Sequence, residues 1–419
     1  MNNTIKLAVA AALLAGASSA NAGIMIPAGD WTLDIGGIVN AYYTSTRQSG
    51  DFKGASGAVI GGSNSTNQGT ESNITTGLLP NYLSVSGKTR QNDLDVAFTI
   101  SIQPGASTTN SGIQNNQQSG APNSGISGGN QENRQAFLTF GDKSWGSIKL
   151  GKDIGIYASD AILNDMTLLG VGSLAGAGAG NTTTLGRIGT GFMYADWKSQ
   201  VAYSSPNWNG FSFTAGVTQA WNTYGALGAG SSTSTGRGGA SPAFEGKASY
   251  EWAGDFGGKV WVSGISQKVK DIAGAGFVGT KSDTADAFDI GATVNVAGFG
   301  LTGYYGQGSG TGTTVLLRDG YDAAGNARDS EDYYVQATYT IPTVGTKLGV
   351  SYGKSTLDGN GTGDFLGNSE YSNKMWTIGA YHPITKHLNL VAEYDDAKTK
   401  IINANGKSKT IALGAILFF

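Results

Sequence analysis

The feature that most constrains this chain is a period-two alternation of apolar and polar side chains, repeated over segments of roughly ten residues. Leu94, Val96, Phe98, Ile100 and Ile102 share one face of such a segment. Near the start, Trp31, Leu33, Ile35, Val39 and Tyr43 alternate with an opposite set that includes Asp34 and Asn40. At the end, Ile411, Leu413, Ala415, Leu417 and Phe419 repeat the pattern. A helix would need a period of 3.6, so these segments read as strands, each with one apolar face.

Further segments follow in pairs. Asn81–Lys88 precedes Asp93–Gln103, and Glu132–Gly141 precedes Gly146–Gly151; Ser199–Ser205 and Phe211–Trp221 flank Pro206-Asn207-Trp208-Asn209-Gly210. Later pairs are Phe244–Trp252 with Lys259–Val269, Asp286–Val296 with Leu301–Gly306, Asp332–Ile341 with Thr346–Lys354, and Lys374–Tyr381 with Leu388–Asp395. Lys409–Phe419 closes the set. The pattern predicts about sixteen antiparallel strands, with seven short turns alternating with eight long polar loops.

Composition narrows the class. Gly is 67 of 419 residues, more than twice the usual share of about 7%, while charged residues are only 14%. There is no Cys, so disulfides play no part. After the N-terminal region no apolar run reaches the roughly 20 residues of a membrane-crossing helix. The net charge of -3 is too small to imply nucleic acid. Lys6, the apolar run Leu7–Ala15 and Ala20-Asn21-Ala22 have the layout of an export signal. Residues 1–22 are therefore expected to be removed, leaving 23–419 as a single domain.

An exported, Gly-rich, Cys-free chain of alternating strands fits a closed membrane barrel, in which every backbone N–H and C=O finds a partner on a neighbouring strand. The expected fold is all-β: a transmembrane antiparallel β-barrel of about sixteen strands. At that number the interior is too wide for side chains to fill, so it should hold water. Trp31, Tyr42, Tyr43, Trp145, Trp208, Trp252, Phe299 and Tyr381 fall near proposed strand ends, where amphipathic rings would mark the two interfaces.

The segment from Lys152 to Lys198 differs from the other loops. It carries Ile154, Ile156, Ile162, Leu163, Met166, Leu168 and Leu169, and so should fold against something.

Several motifs resemble the general, non-specific porins of Proteobacteria. Arg134-Gln135-Ala136-Phe137 is similar to that family's Arg-x-Ala-aromatic strand, and Gly146–Lys152 to the strand that follows. Asp160-Ala161 and Asp165-Met166 resemble the start of its constriction loop, and Leu185–Gly189 the segment returning to the wall. The terminal Phe419 resembles the assembly signal read by the barrel-assembly machinery.

The resemblance implies an outer-membrane homotrimer embedded among phospholipid and lipopolysaccharide. Its third extracellular loop would fold inward and narrow a passage for small hydrophilic solutes and ions. It also implies that acidic Asp160 and Asp165 face basic Arg134, Arg187 and Lys152 across the narrowest point. A transverse field of that kind orients dipolar solutes. The family's further acidic position falls at Leu169, and two of its basic positions at Gly37 and Tyr82, so the expected preference is weak and slightly anionic.

Other functions have less support. No nucleophile–base arrangement is visible, and the two histidines, His382 and His387, flank Pro383 in a short turn. Gly176–Gly180 lacks the strand-to-helix setting of a dinucleotide site. No enzyme activity, cofactor or metal is expected. A sugar-selective channel is the alternative, with Tyr42, Tyr82, Tyr157 and Tyr194 available for an aromatic ladder.

Overall fold

The computed structural model describes residues 23–51, 69–106, 131–173, 183–193, 195–221, 234–235, 241–274, 277–313, 317 and 319–419. The expected export signal and Gly176–Gly180 lie outside them, as does Tyr194.

Alternating segments pair with their sequence neighbours all the way round. The strands are β1 (Trp31–Gly50), β2 (Tyr82–Gln91), β3 (Leu94–Pro104) and β4 (Ala136–Asp142). Then come β5 (Gly146–Ile154), β6 (Trp197–Ser204), β7 (Phe211–Thr218) and β8 (Ala243–Trp252). β9 (Phe256–Gly274), β10 (Phe277–Val296), β11 (Phe299–Ser309) and β12 (Asp329–Thr340) continue the sheet. β13 (Lys347–Asp358), β14 (Glu370–Pro383), β15 (Leu388–Ile401) and β16 (Ala404–Phe418) complete it. Short segments at Ile24–Ala28, Thr70–Thr75, Gln131–Glu132 and Ser234–Thr235 lengthen four of these sixteen positions.

β1 closes on β16 from Ile38↔Phe418 to Gly50↔Gly406. At this seam Gly37 and Phe419 exchange backbone bonds, Gly37 N–H to Phe419 O at 2.8 Å and Phe419 N–H to Gly37 O at 3.0 Å. A Cβ at Gly37 would lie 2.3 Å from Tyr82 O, so only glycine lets the end of the chain seat there. No described helix is long and apolar enough to cross a membrane, and closure leaves no free sheet edge.

Apolar side chains face outward, as the alternation requires. Val39, Ile100, Leu301, Ile378 and Ile411 are exposed, while Asn40, Ser101, Thr302, Thr377 and Thr410 beside them are buried inside. Two outward aromatic belts follow. Trp145, Trp208, Tyr250, Phe256 and Phe299 mark the short-turn end; Tyr43, Phe288 and Trp376 mark the other. Tyr42 and Tyr381, expected among the belts, point inward and are buried instead.

Strands run further than expected at the long-connection end. β1 continues to Gly50, and β15 and β16 meet over Ile402 and Asn403 where a long loop was predicted. Beyond the lipid both faces are wet, so outward apolar residues cease while the backbone ladder goes on. The connection between β11 and β12 also folds inward, because Leu317 and Tyr321 pack with Val269, Ile272 and Ala285. Arg328 clasps it to the next loop, donating from Nε to Asp364 Oδ2 at 2.9 Å and from Nη1 to Asp319 O at 2.8 Å.

Candidate functional site

The third long connection leaves β5 at Ile154 and rejoins the wall at β6. Its outgoing and returning arms touch at Gly155, whose N–H donates to Asp196 O at 2.8 Å. A Cβ at Gly155 would sit 2.1 Å from Ala195 O, so the close approach requires glycine. Between the arms, helix α1 (Ser159–Leu163) and two 3₁₀ turns, Met166–Leu169 and Ile188–Thr190, lie inside the barrel.

The apolar residues singled out above explain this course. Ile162, Met166 and Leu168 are buried together with Leu185, Ile188 and Phe192, in one cluster with inward wall residues such as Tyr304 and Tyr334. Burying each such side chain is worth about 1.5–3 kcal/mol. Phe192 packs on Tyr304 and Tyr334 with ring centroids 6.2 and 6.1 Å away.

Two wall glutamates fasten the loop by its backbone. Glu245 Oε2 accepts the N–H groups of Ile156 at 2.7 Å and Tyr157 at 2.9 Å, while its Oε1 accepts from Lys198 Nζ at 2.5 Å and Thr218 Oγ1 at 2.7 Å. Glu393 Oε2 accepts from Val171 at 2.6 Å and Gly172 at 2.9 Å, while its Oε1 accepts from Tyr381 Oη at 2.5 Å. Neutral partners complete the attachment. Tyr334 Oη donates to Ala161 O at 2.8 Å, Tyr42 Oη to Leu169 O at 2.7 Å, and Gln336 Nε2 to Asn164 O at 2.6 Å. These contacts fall on β8, β15, β12 and β1.

The residues expected to face one another across water are arranged otherwise. Asp165 Oδ2 lies 3.6 Å from Arg187 Nε, and neither side chain has any exposed surface. Asp165 Oδ1 accepts from Thr167 N–H at 3.0 Å, and Arg187 donates to Met375 O at 3.1 Å and Ser351 Oγ at 2.5 Å. Burial pushes the Asp165 carboxyl upward in spite of the Arg187 charge. The two join loop to wall rather than bounding a passage.

Asp160 is also covered, but its partners are not. It accepts from Lys259 Nζ at 2.6 Å and Lys247 Nζ at 3.3 Å, and those side chains are 21% and 28% exposed. Burial opposes its ionisation, yet the two lysine charges outweigh that effect and hold its carboxyl below the usual range.

Arg134 is buried, with its guanidinium carbon 5.6 Å from the centroid of the Trp197 ring. It shares a cavity of only ≈ 50 Å³ with the loop's Leu163 and Leu168. Lys152 pairs with Ala136 and Ser199 on the outward side of the sheet, and its Nζ donates to Asn133 O at 2.8 Å. It therefore does not join the others.

The inward wall holds charges that the motif comparison missed. Lys149, ion-paired with the buried Asp153, is 29% exposed. Together with Lys88, Asp34, Thr99 and Thr139 it lines a cavity of ≈ 800 Å³ along β1–β5. Their signal was strand parity, since Glu245 and Lys247 alternate with outward Phe244 and Gly246 and could be assigned to the interior from the sequence. A wide, closed barrel with a polar inner wall, narrowed by a fastened loop, can pass solutes without binding chemistry. Among the described residues no group of His, Asp or Glu could hold a metal.

A family model described as Gram-negative porin matches residues 8–401. The chain belongs to the Gram-negative porins. No curated protein matches this porin's sequence. Solved structures do match its fold. The outer membrane channel DcaP of Acinetobacter baumannii is 16% identical with a TM-score of 0.66, covering 95% of this chain and 100% of that one. The anion-selective porin from Comamonas acidovorans is 15% identical with a TM-score of 0.57, covering 93% and 100%. Salmonella typhi OmpF, in complex with daunomycin, is 16% identical with a TM-score of 0.57, covering 94% and 100%. The porin is an outer-membrane channel for passive diffusion, and its family and fold are those of a channel rather than an enzyme.

Proposed function

We propose that this porin is a weakly selective channel for small hydrophilic solutes and ions, slightly favouring anions, and that its third loop forms the constriction. The observation that carries this reading is the unequal exposure of paired charges. Lys149, Lys247 and Lys259 are each 21–29% exposed, while Asp153 and Asp160 beside them are at most 4% exposed; Lys259 has one further partner, Glu251 at 3.2 Å, which is 53% exposed. Three ammonium groups therefore meet water and passing ions against one exposed carboxylate in these pairs. Field lines concentrate in a narrow, low-dielectric passage, so even a small excess of one sign biases ion choice.

In this reading Asp160 keeps its place at the constriction as the group that positions Lys247 and Lys259. Asp165, Arg187 and Arg134 hold the loop to the wall. A sugar-selective channel would need a ladder of rings facing water, whereas Tyr42 is buried against the loop and Tyr157 is buried within it. Homotrimer formation, removal of residues 1–22, contact with lipopolysaccharide and recognition of Phe419 by the barrel-assembly machinery belong to the same proposal. The seating of Phe419 in the β1–β16 seam supports the last of these.

Single-channel recording in a planar bilayer under a salt gradient tests the function. Large ohmic steps, closing in threes, with a small anion-directed reversal potential are expected. Absence of conductance, or a small current blocked by one sugar, would overturn the proposal.

A further inference from the structure

Four lysines stand directly opposite one another on adjacent strands. The register pairs Lys354 with Lys374, Lys374 with Lys398, and Lys398 with Lys407, across β13, β14, β15 and β16. Like charges directly opposite on one face of a sheet destabilise it. At the spacing of neighbouring strands the row is about 15 Å long.

Strand parity places the row outside the barrel. Lys374 alternates with buried Asn373 and Met375, and shares its face with Trp376 and Ile378, which are 51% and 59% exposed. Lys374, Lys398 and Lys407 are exposed and, among the described residues, make no salt bridge. Lys354 has, among the described residues, the 44%-exposed Glu370 at 3.5 Å. One rung nearer the membrane centre, Lys409 opposes Arg47 and is 3.9 Å from Asp396.

The row's depth is fixed by its neighbours. On the same rung as Lys409, Tyr352 and Trp376 pack with ring centroids 4.6 Å apart. Aromatic rings of this kind mark the interface between hydrocarbon and headgroups. The lysines lie one rung further out, at the long-connection end, which in outer-membrane barrels is extracellular. An outward row of ammonium groups at headgroup depth, three of the four in no salt bridge among the described residues, is complementary to phosphate.

We propose that Lys354, Lys374, Lys398 and Lys407 form a binding site for the phosphates of an anionic glycolipid headgroup in the outer leaflet. Lipopolysaccharide has that chemistry. The proposal deepens the lipid contact named above and rests on outer-membrane placement, independently of what the pore conducts. The bound phosphates offset the repulsion within the row, and the acyl chains run down the face bearing Trp376 and Ile378.

The test uses the full-length protein in detergent, with diphosphoryl lipid A as probe. Replacing all four lysines by Gln should weaken binding at least tenfold, while replacing them by Arg should preserve it. Binding to the native protein should weaken as salt rises. Amine-reactive labelling of the native protein, read by mass spectrometry, needs no variant: lipid A should protect Lys374 and Lys398 but not Lys143 in the β4–β5 turn. Equal binding by native and Gln forms, or unprotected lysines, would overturn the site. Equal competition by millimolar inorganic phosphate would reduce it to an unspecific anion site. Single-channel conductance of the Gln form should match that of the native protein, which separates failure of this site from failure of the channel reading.

Discussion

Arg187 and Asp165 meet 3.6 Å apart beneath the third loop, with no exposed side-chain surface on either. Replacing Arg187 by Leu would leave the Asp165 carboxylate buried without its counter-charge, at a cost of about 3–5 kcal/mol. Thermal unfolding should show a lower midpoint, and the Asp165→Leu/Arg187→Leu double variant should recover most of the loss. The reversal potential should barely move. A large cation-directed shift at unchanged stability would put Arg187 on the water-filled surface after all.

Lys247 and Lys259 should behave in the opposite way. Converting both to Gln removes the exposed half of their pairing with Asp160. The glutamine amides can still donate to the buried Asp160 carboxylate and the lysine end of each pair is partly exposed, so the unfolding midpoint should fall less than for Arg187→Leu. Selectivity should move toward cations in the same salt-gradient measurement. An unchanged reversal potential would show that solutes do not pass these lysines.

Glu393 and Glu245 each accept two successive amides from the loop. Hydrogen bonds to a charged group contribute about 1.5–3 kcal/mol, and a buried amide left without its acceptor adds a desolvation cost. Glu393→Ala should therefore loosen one end of the loop and Glu245→Ala the other. The expected record is frequent brief closures or added current noise, with full-sized openings retained. Quiet traces from both variants would mean that the apolar contacts hold the loop unaided.

Acid should release the Asp160 attachment. Its carboxyl titrates below the ordinary 3.8, so the stabilisation is present above that value and fades as pH falls through the lowered one. Asp165 has the opposite sign: burial raises its carboxyl, so the ionised form weakens the fold as pH rises. Channel closures should thus increase as pH falls below 3.8, and the Lys247→Gln/Lys259→Gln variant should lack most of that increase.

Much of the fold was legible because lipid on one side and water on the other impose a strict alternation. Leu94 to Ile102 and Ile411 to Leu417 reveal strand, face and class without any partner in view. Strand ends such as Ser45–Gly50 and Lys398–Ile401 stayed hidden, since above the membrane both faces are wet and alternation no longer marks pairing. At the constriction, the inward course of the loop was legible from Ile162, Met166 and Leu168. Which charges meet was not. The partners of Asp160 and Asp165 lie 22 to 99 residues along the chain, and only the sheet register brings them together. Lys152 looked like a wall residue because it follows the Gly-bounded strand, but the pairing of Lys152 with Ala136 turns it outward.

The loop's wall-directed hydrogen bonds fall on β1, β8, β9 and β12–β15, while the larger cavity runs along β1–β5. The circumference is thus divided between an arc that bears structure and an arc that bears traffic. Inward positions of the first arc, such as Tyr334 and Glu393, are constrained by what they hold. Those of the second, such as Ser86, Thr99 and Thr139, line the cavity and, among the described residues, hold no part of the loop by a hydrogen bond. A lineage under pressure to admit a new nutrient, or to exclude a toxic one, could change permeability there one substitution at a time without endangering the barrel.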